Sequence, residues 1–133
     1  SIGHGYTYSG HPVGAAAAIA CMNETRRLKV NENAAIRGAE LHTGLLSLQE
    51  KHEVIGDVRG GHGLMLALEL VADRATKKPI DKGIIAKIQE VTYQSGAMVR
   101  VSGPNIIFSP PLILASADVT TILSALDEGL SCV

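Results

Sequence analysis

Val54-Ile55-Gly56-Asp57-Val58-Arg59-Gly60-Gly61-His62-Gly63, followed at once by Leu64-Met65-Leu66-Ala67-Leu68-Glu69-Leu70-Val71, is the stretch on which the fold turns. Upstream of it, apolar residues recur at helical spacing. Within it the period changes. A glycine-rich turn leads into a short apolar run that reads as a buried strand. The glycines do not make a nucleotide loop: they precede a strand rather than opening a helix, with neither the P-loop lysine nor the full dinucleotide spacing.

Working back from this point, Ile36, Leu41, Leu45 and Leu48 predict a helix over roughly Glu32 to His52, with Arg37, Glu40, Gln49 and Glu50 turned away. Before it, Pro12 offers a preset backbone for a helix start, and the run from Val13 through four alanines to Met22 predicts a helix reaching Lys29. Its first half is apolar on nearly all sides, so it expects to be covered by other protein. Residues 1–13 are rich in Gly, His, Tyr, Thr and Ser, and Ser1-Ile2-Gly3-His4-Gly5 is not a start-methionine context. The chain reads as cut from something longer.

Working forward, a charged loop from Asp73 to Lys78 ends at Pro79, and a helix from about Ile80 to Ser95 buries Ile84, Ile85, Ile88 and Val91 before stopping at Gly96. Met98–Val101 and Ile106–Phe108 read as strands joined by a hairpin turn, Ser102-Gly103-Pro104-Asn105. Pro110-Pro111 closes that segment. Ser116 is the expected N-cap of a last helix with Val119, Ile122, Leu123, Leu126 and Leu130 as its apolar stripe. The order predicts an α+β fold: two helices, then a small antiparallel sheet covered by two more.

Composition narrows the function classes. The chain has 133 residues, 46% hydrophobic and 19% charged, as a globular domain has. A net charge of -1 supplies neither a basic stripe for nucleic acid nor a cationic face for membranes. No apolar run approaches the ~18 residues of a membrane span. Cys21 and Cys132 lie far apart without ligand spacing and read as reduced thiols of a cytoplasmic protein rather than a bridge. The five histidines have no acidic or cysteine partner at ligand spacing, so no metal site is expected.

From residue type alone, Thr7 and Ser9 are turn and capping residues ahead of Pro12, Arg100 is a strand-surface arginine, and Arg59 beside Asp57 is a structural ion pair or a domain-interface residue. Three segments together change that reading for Thr7 and Arg100. Gly5-Tyr6-Thr7-Tyr8-Ser9-Gly10-His11-Pro12 with its Ala-rich helix, Asp57–Met65 running into Glu69-Leu70, and Val99–Leu112 with its Pro-Pro turn follow one another at family spacing. In that order they resemble the C-terminal portion of class III aminotransferases that depend on pyridoxal 5'-phosphate. Within the family the likeness is to omega-amino acid (amine):pyruvate transaminases.

The resemblance implies a fold-type-I enzyme, with residues 1–30 ending its large domain in a cofactor-phosphate segment and connecting helix, and residues 31–133 forming its small domain. It implies that Thr7, with Tyr6 in the same shell, contacts the cofactor phosphate across a homodimer interface, because a phosphate needs hydroxyl and N–H donors. It implies that Arg100 pairs with the carboxylate of an amino or keto acid substrate, as a planar and always charged fork suits. Arg100's place beside a hairpin suits a side chain that swings away for simple amines. The family's Schiff-base lysine falls before the Tyr-Thr segment, and Lys29, Lys51, Lys77, Lys78, Lys82 and Lys87 match surface positions. This chain alone therefore carries no catalytic residue and is expected to be inactive, its parent being the transaminase. The competing reading is a non-catalytic small domain that folds and self-associates through the Ala-rich helix.

Overall fold

A β-strand needs partners for its backbone, and the apolar run after the glycines finds them on both sides. In the computed structural model, which describes residues 3–133, β1 (Ile55–Arg59), β2 (Leu66–Asp73), β3 (Lys78–Pro79), β4 (Arg100–Ser102) and β5 (Asn105–Phe108) form one antiparallel sheet. Its order is β1-β2-β5-β4, with β3 also paired to β2. Four helices accompany it: α1 (Pro12–Arg27), α2 (Val30–Lys51), α3 (Lys82–Gln94) and α4 (Ser116–Leu130). This is the α+β arrangement expected from the order of elements. Ser1 and Ile2, part of the N-terminal segment read above, lie outside the described residues.

The chain divides into two compact units, one ending at Val30 and the other covering Asn31–Val133. In the first, a turn over residues 7–10 precedes α1, which starts on Pro12 and buries none of its residues. Val13, Ile19 and Met22 of α1 are 70%, 60% and 55% exposed. The helix stops at Arg27, short of Lys29, which takes φ 50 in the left-handed region. That conformation is awkward for a residue with a Cβ, and it breaks the helical ladder.

In the second unit the paired strands alternate between a core face and an outer face. Val58, Leu68, Ile106 and Val101 pair across the four strands and face the core, as do Leu66, Leu70 and Phe108. Against them pack Leu41 and Leu45 of α2, Ile85 and Ile88 of α3, and Val119, Leu126 and Leu130 of α4. The outer face carries Asp57, Arg59, Ala67, Glu69, Asn105, Ile107, Arg100 and Ser102. A one-residue slip would exchange the two sets, so the leucine run pins the register.

Several expectations need correction. Ile55–Arg59 is a strand of its own, hidden from the period-2 pattern by Gly56 and a register shift between Ile55 and Asp57. Lys78–Pro79 is a short edge strand rather than loop, a position where proline removes no needed ladder bond. Ile36 is 57% exposed, and Ala34 holds the buried position assigned to it. Arg37 and Glu40 do not point into solvent: both are half-buried and paired, and Ser116 donates to Glu40. On α3, Ile84 is exposed and Thr92 is buried in its stead, its hydroxyl donating to the Ile88 carbonyl at 2.8 Å. Ser116 is the first residue of α4 rather than its N-cap, and the Asp118 carboxylate satisfies the Ala115 N–H at 2.8 Å. Met98 is 86% exposed and precedes β4 instead of belonging to it.

Candidate functional site

A tight turn brings Tyr6, Thr7 and Ser9 together in the first unit. Ser9 N–H donates to the Tyr6 carbonyl at 2.9 Å, and the Tyr6 N–H donates to Ser9 Oγ at 3.1 Å. The next bond runs from His11 N–H to the Tyr8 carbonyl at 3.1 Å, with Gly10 at φ 73 making the bend. Ser9 is thus spent inside the turn. The Thr7 and Tyr8 amides form no hydrogen bond among the described residues, and Thr7 is exposed. Behind the turn, α1 opens on Pro12 with no side-chain cap from His11. The helix start therefore keeps its partial positive charge uncompensated. A hydroxyl, free amides and a helix N-terminus are the donor set an anion requires, and a phosphate fits it. The Tyr6 ring stands edge-on to His4, centroids 5.1 Å apart, and is exposed.

Arg100 belongs to the second unit. It is the first residue of β4, paired to Ile107 of β5, and forms no ion pair among the described residues. It lines a cavity of ≈ 720 Å³ whose other walls are chiefly Met98, Phe108, Pro110, Pro111 and Ile113. The walls are apolar and the guanidinium is unpaired. A carboxylate with an organic substituent matches both properties, since the charged fork supplies two parallel donors. Asp118 also lines this cavity, with its carboxylate engaged by the Ala115 N–H. Thr7 and Arg100 fall in different units, and each arrangement stands by itself.

Arg59 is part of a charged network on the outer sheet face. Its Nη1 donates to Glu69 at 2.6 Å and to Asp57 at 3.3 Å, and its Nη2 donates to Asn105 Oδ1 at 2.5 Å. The Glu69 carboxylate raises the Arg59 pKa further. Glu69 and Asn105 were not legible as its partners, because they come from β2 and β5, ten and forty-six residues on. Of the lysines, Lys51 Nζ is held by Asp127 at 2.7 Å and Lys87 Nζ donates to the Cys132 carbonyl at 2.6 Å. His52 Nε2 meets the other Asp127 oxygen at 2.6 Å. Among the described residues no His, Cys, Asp and Glu group has metal-binding geometry, and no helix is long and apolar enough to cross a membrane.

Comparison with known proteins gives a consistent result. A family described as aminotransferase class-III matches residues 1–130. The chain is 36% identical over 133 residues to ethanolamine-phosphate phospho-lyase homolog 1 of Caenorhabditis elegans, covering 98% of this chain and 28% of that protein. It is 34% identical over 134 residues to the taurine–pyruvate aminotransferase of Bilophila wadsworthia, covering 96% of this chain and 29% of the relative. Among solved structures, the amine transaminase of an uncultivated Pseudomonas species, in its PLP-bound form, superposes with a TM-score of 0.89 at 41% identity. That match covers 98% of this chain and 30% of the transaminase. The chain thus spans less than a third of the length of these relatives.

Proposed function

As this chain belongs to the class III aminotransferase family, we propose that it is the C-terminal portion of a transaminase that moves an amino group from an amino acid or amine to a keto acid such as pyruvate. The observation that carries the reading is Arg100, which forms no ion pair among the described residues and lines a largely apolar cavity. Pyridoxal phosphate, when bound, supplies the electron sink for breaking the bonds at the substrate's α carbon. The chain's own groups bind and orient. The Thr7 hydroxyl and the free amides of its turn hold the phosphate, with Tyr6 closing the same turn. Arg100 fixes the substrate carboxylate through its two-pronged donor edge, while the apolar side chains beside it face the substrate's organic substituent. None of the six lysines matches the Schiff-base position, so the catalytic lysine belongs to another part of the parent protein.

Residues 1–30 would end the parent's large domain and residues 31–133 would form its small domain. The uncovered apolar surface of α1 supports a homodimer in which that surface, and Thr7 with it, meets the neighbouring subunit. Two unbridged thiols, Cys21 and Cys132, support a reducing, cytoplasmic compartment.

The reading is tested on Arg100 in the full-length enzyme. Arg100→Ala is expected to lower kcat/KM for alanine by about 100-fold, the size of a lost charge-assisted bidentate pair, and to change that for a simple alkyl amine severalfold at most. Equal loss on both donors would refute the carboxylate role.

A further inference from the structure

The outer face of the sheet holds two arginines in one row, and the fold treats them differently. Cross-strand pairing runs Arg59–Ala67–Ile107–Arg100 over β1, β2, β5 and β4. The next row on the same face runs Asp57–Glu69–Asn105–Ser102. Arg59 reaches past Ala67 to Asn105, two strands away, while also holding Glu69 and Asp57. Arg100, at the far end of the row, forms no ion pair among the described residues.

Asp57 and Glu69 are the only acids in these two rows, and they are direct cross-strand partners. Like charges opposite each other repel, so each would seek a cation. Without Arg59, the cation left in these two rows is Arg100. Glu69 lies two strands and two residues from it, roughly 12 Å between Cα atoms at ordinary sheet spacings, within the combined reach of a glutamate and an arginine. The third acid nearby, Asp118, is already occupied by the Ala115 N–H.

We propose that Arg59 is a positioning residue of the carboxylate site: by holding Asp57 and Glu69 it keeps Arg100 unpaired for the substrate. The proposal rests on the reading of Arg100 above. It makes substrate affinity depend on a residue outside the cavity, because an internal carboxylate and a substrate carboxylate compete for one guanidinium.

The test is steady-state kinetics of the full-length enzyme with alanine or a short alkyl amine as donor and an aldehyde as acceptor, so that only the donor carries a carboxylate. Arg59→Gln is expected to raise KM for alanine about fivefold, the factor an exposed ion pair imposes as a competitor, with kcat and the amine KM unchanged. Adding Glu69→Gln is expected to restore the alanine KM, and in an Arg100→Gln background Arg59→Gln is expected to do nothing more. A purely structural Arg59 predicts loss on both donors without rescue by Glu69→Gln. That result, or an unchanged alanine KM in Arg59→Gln, overturns the proposal while a donor-selective defect in Arg100→Gln leaves the carboxylate role standing. If Arg100→Gln fails to discriminate the donors, the carboxylate role falls and the proposal with it.

Discussion

Asp127 shows how a single residue can tie distant parts of the second unit and yet contribute modestly. Its two oxygens accept from Lys51 and His52 at the end of α2, and these bonds, Lys51 first, hold its carboxyl below the ordinary aspartate range. A depressed folded-state pKa means stability that is present above the unfolded value and lost as pH falls through the folded one. Asp127 is a third exposed, so solvent screening limits the contribution to about 0.5–1 kcal/mol. Asp127→Asn is therefore expected to lower the urea midpoint at pH about 5, with the gap closing as the solution is taken well below pH about 4. A gap that persists in strong acid would show that the residue acts through packing instead. At this scale the sequence was partly legible. Thr7 and Arg100 stood out only because their surrounding motifs resembled a family; by type alone both were ordinary turn and strand residues. Glu69 and Asn105 stayed hidden as partners of Arg59, since cross-strand neighbours are set by register and not by distance along the chain.

Among the elements, α3 and α4 meet through a glycine. A Cβ on Gly129 would lie 2.2 Å from Thr92 Oγ1 and 2.8 Å from the Ile88 carbonyl oxygen. The second contact is with backbone, so no rotamer change relieves it, and the helices would have to separate. Helix propensity alone favours alanine over glycine by about 1 kcal/mol, so the sign of the effect distinguishes the two influences. Gly129→Ala is expected to destabilise by about 1–3 kcal/mol, visible as a lower thermal midpoint; a raised midpoint would mean that the helices part without cost. Gly38 plays the same part for the turn between β1 and β2, where an added Cβ would lie 2.2 Å from the Gly63 carbonyl oxygen. Such contacts explain which elements were readable. Long periodic helices and the leucine run of β2 declare themselves by side-chain spacing. β1, β3 and the α4 cap do not, since they depend on a register shift, an edge position and an aspartate reaching back three residues.

The whole chain matches one segment of its family. Its matched region, residues 1–130, includes the turn at Thr7 and the Arg100 strand, and the chain spans 28% and 29% of these two curated relatives. One of those relatives bears the name of a phospho-lyase and the other that of a pyruvate aminotransferase, so family membership leaves the fate of the amino group to be tested. If Arg100 holds a carboxylate as proposed, amino transfer is the expected outcome, because a keto acid acceptor such as pyruvate would be held by its carboxylate in the second half of the cycle. The direct measurement is to incubate the full-length enzyme with an amine donor and pyruvate and to quantify alanine and free ammonia. The account predicts alanine formed in step with loss of the donor amine and no ammonia released. Ammonia in place of alanine would contradict it.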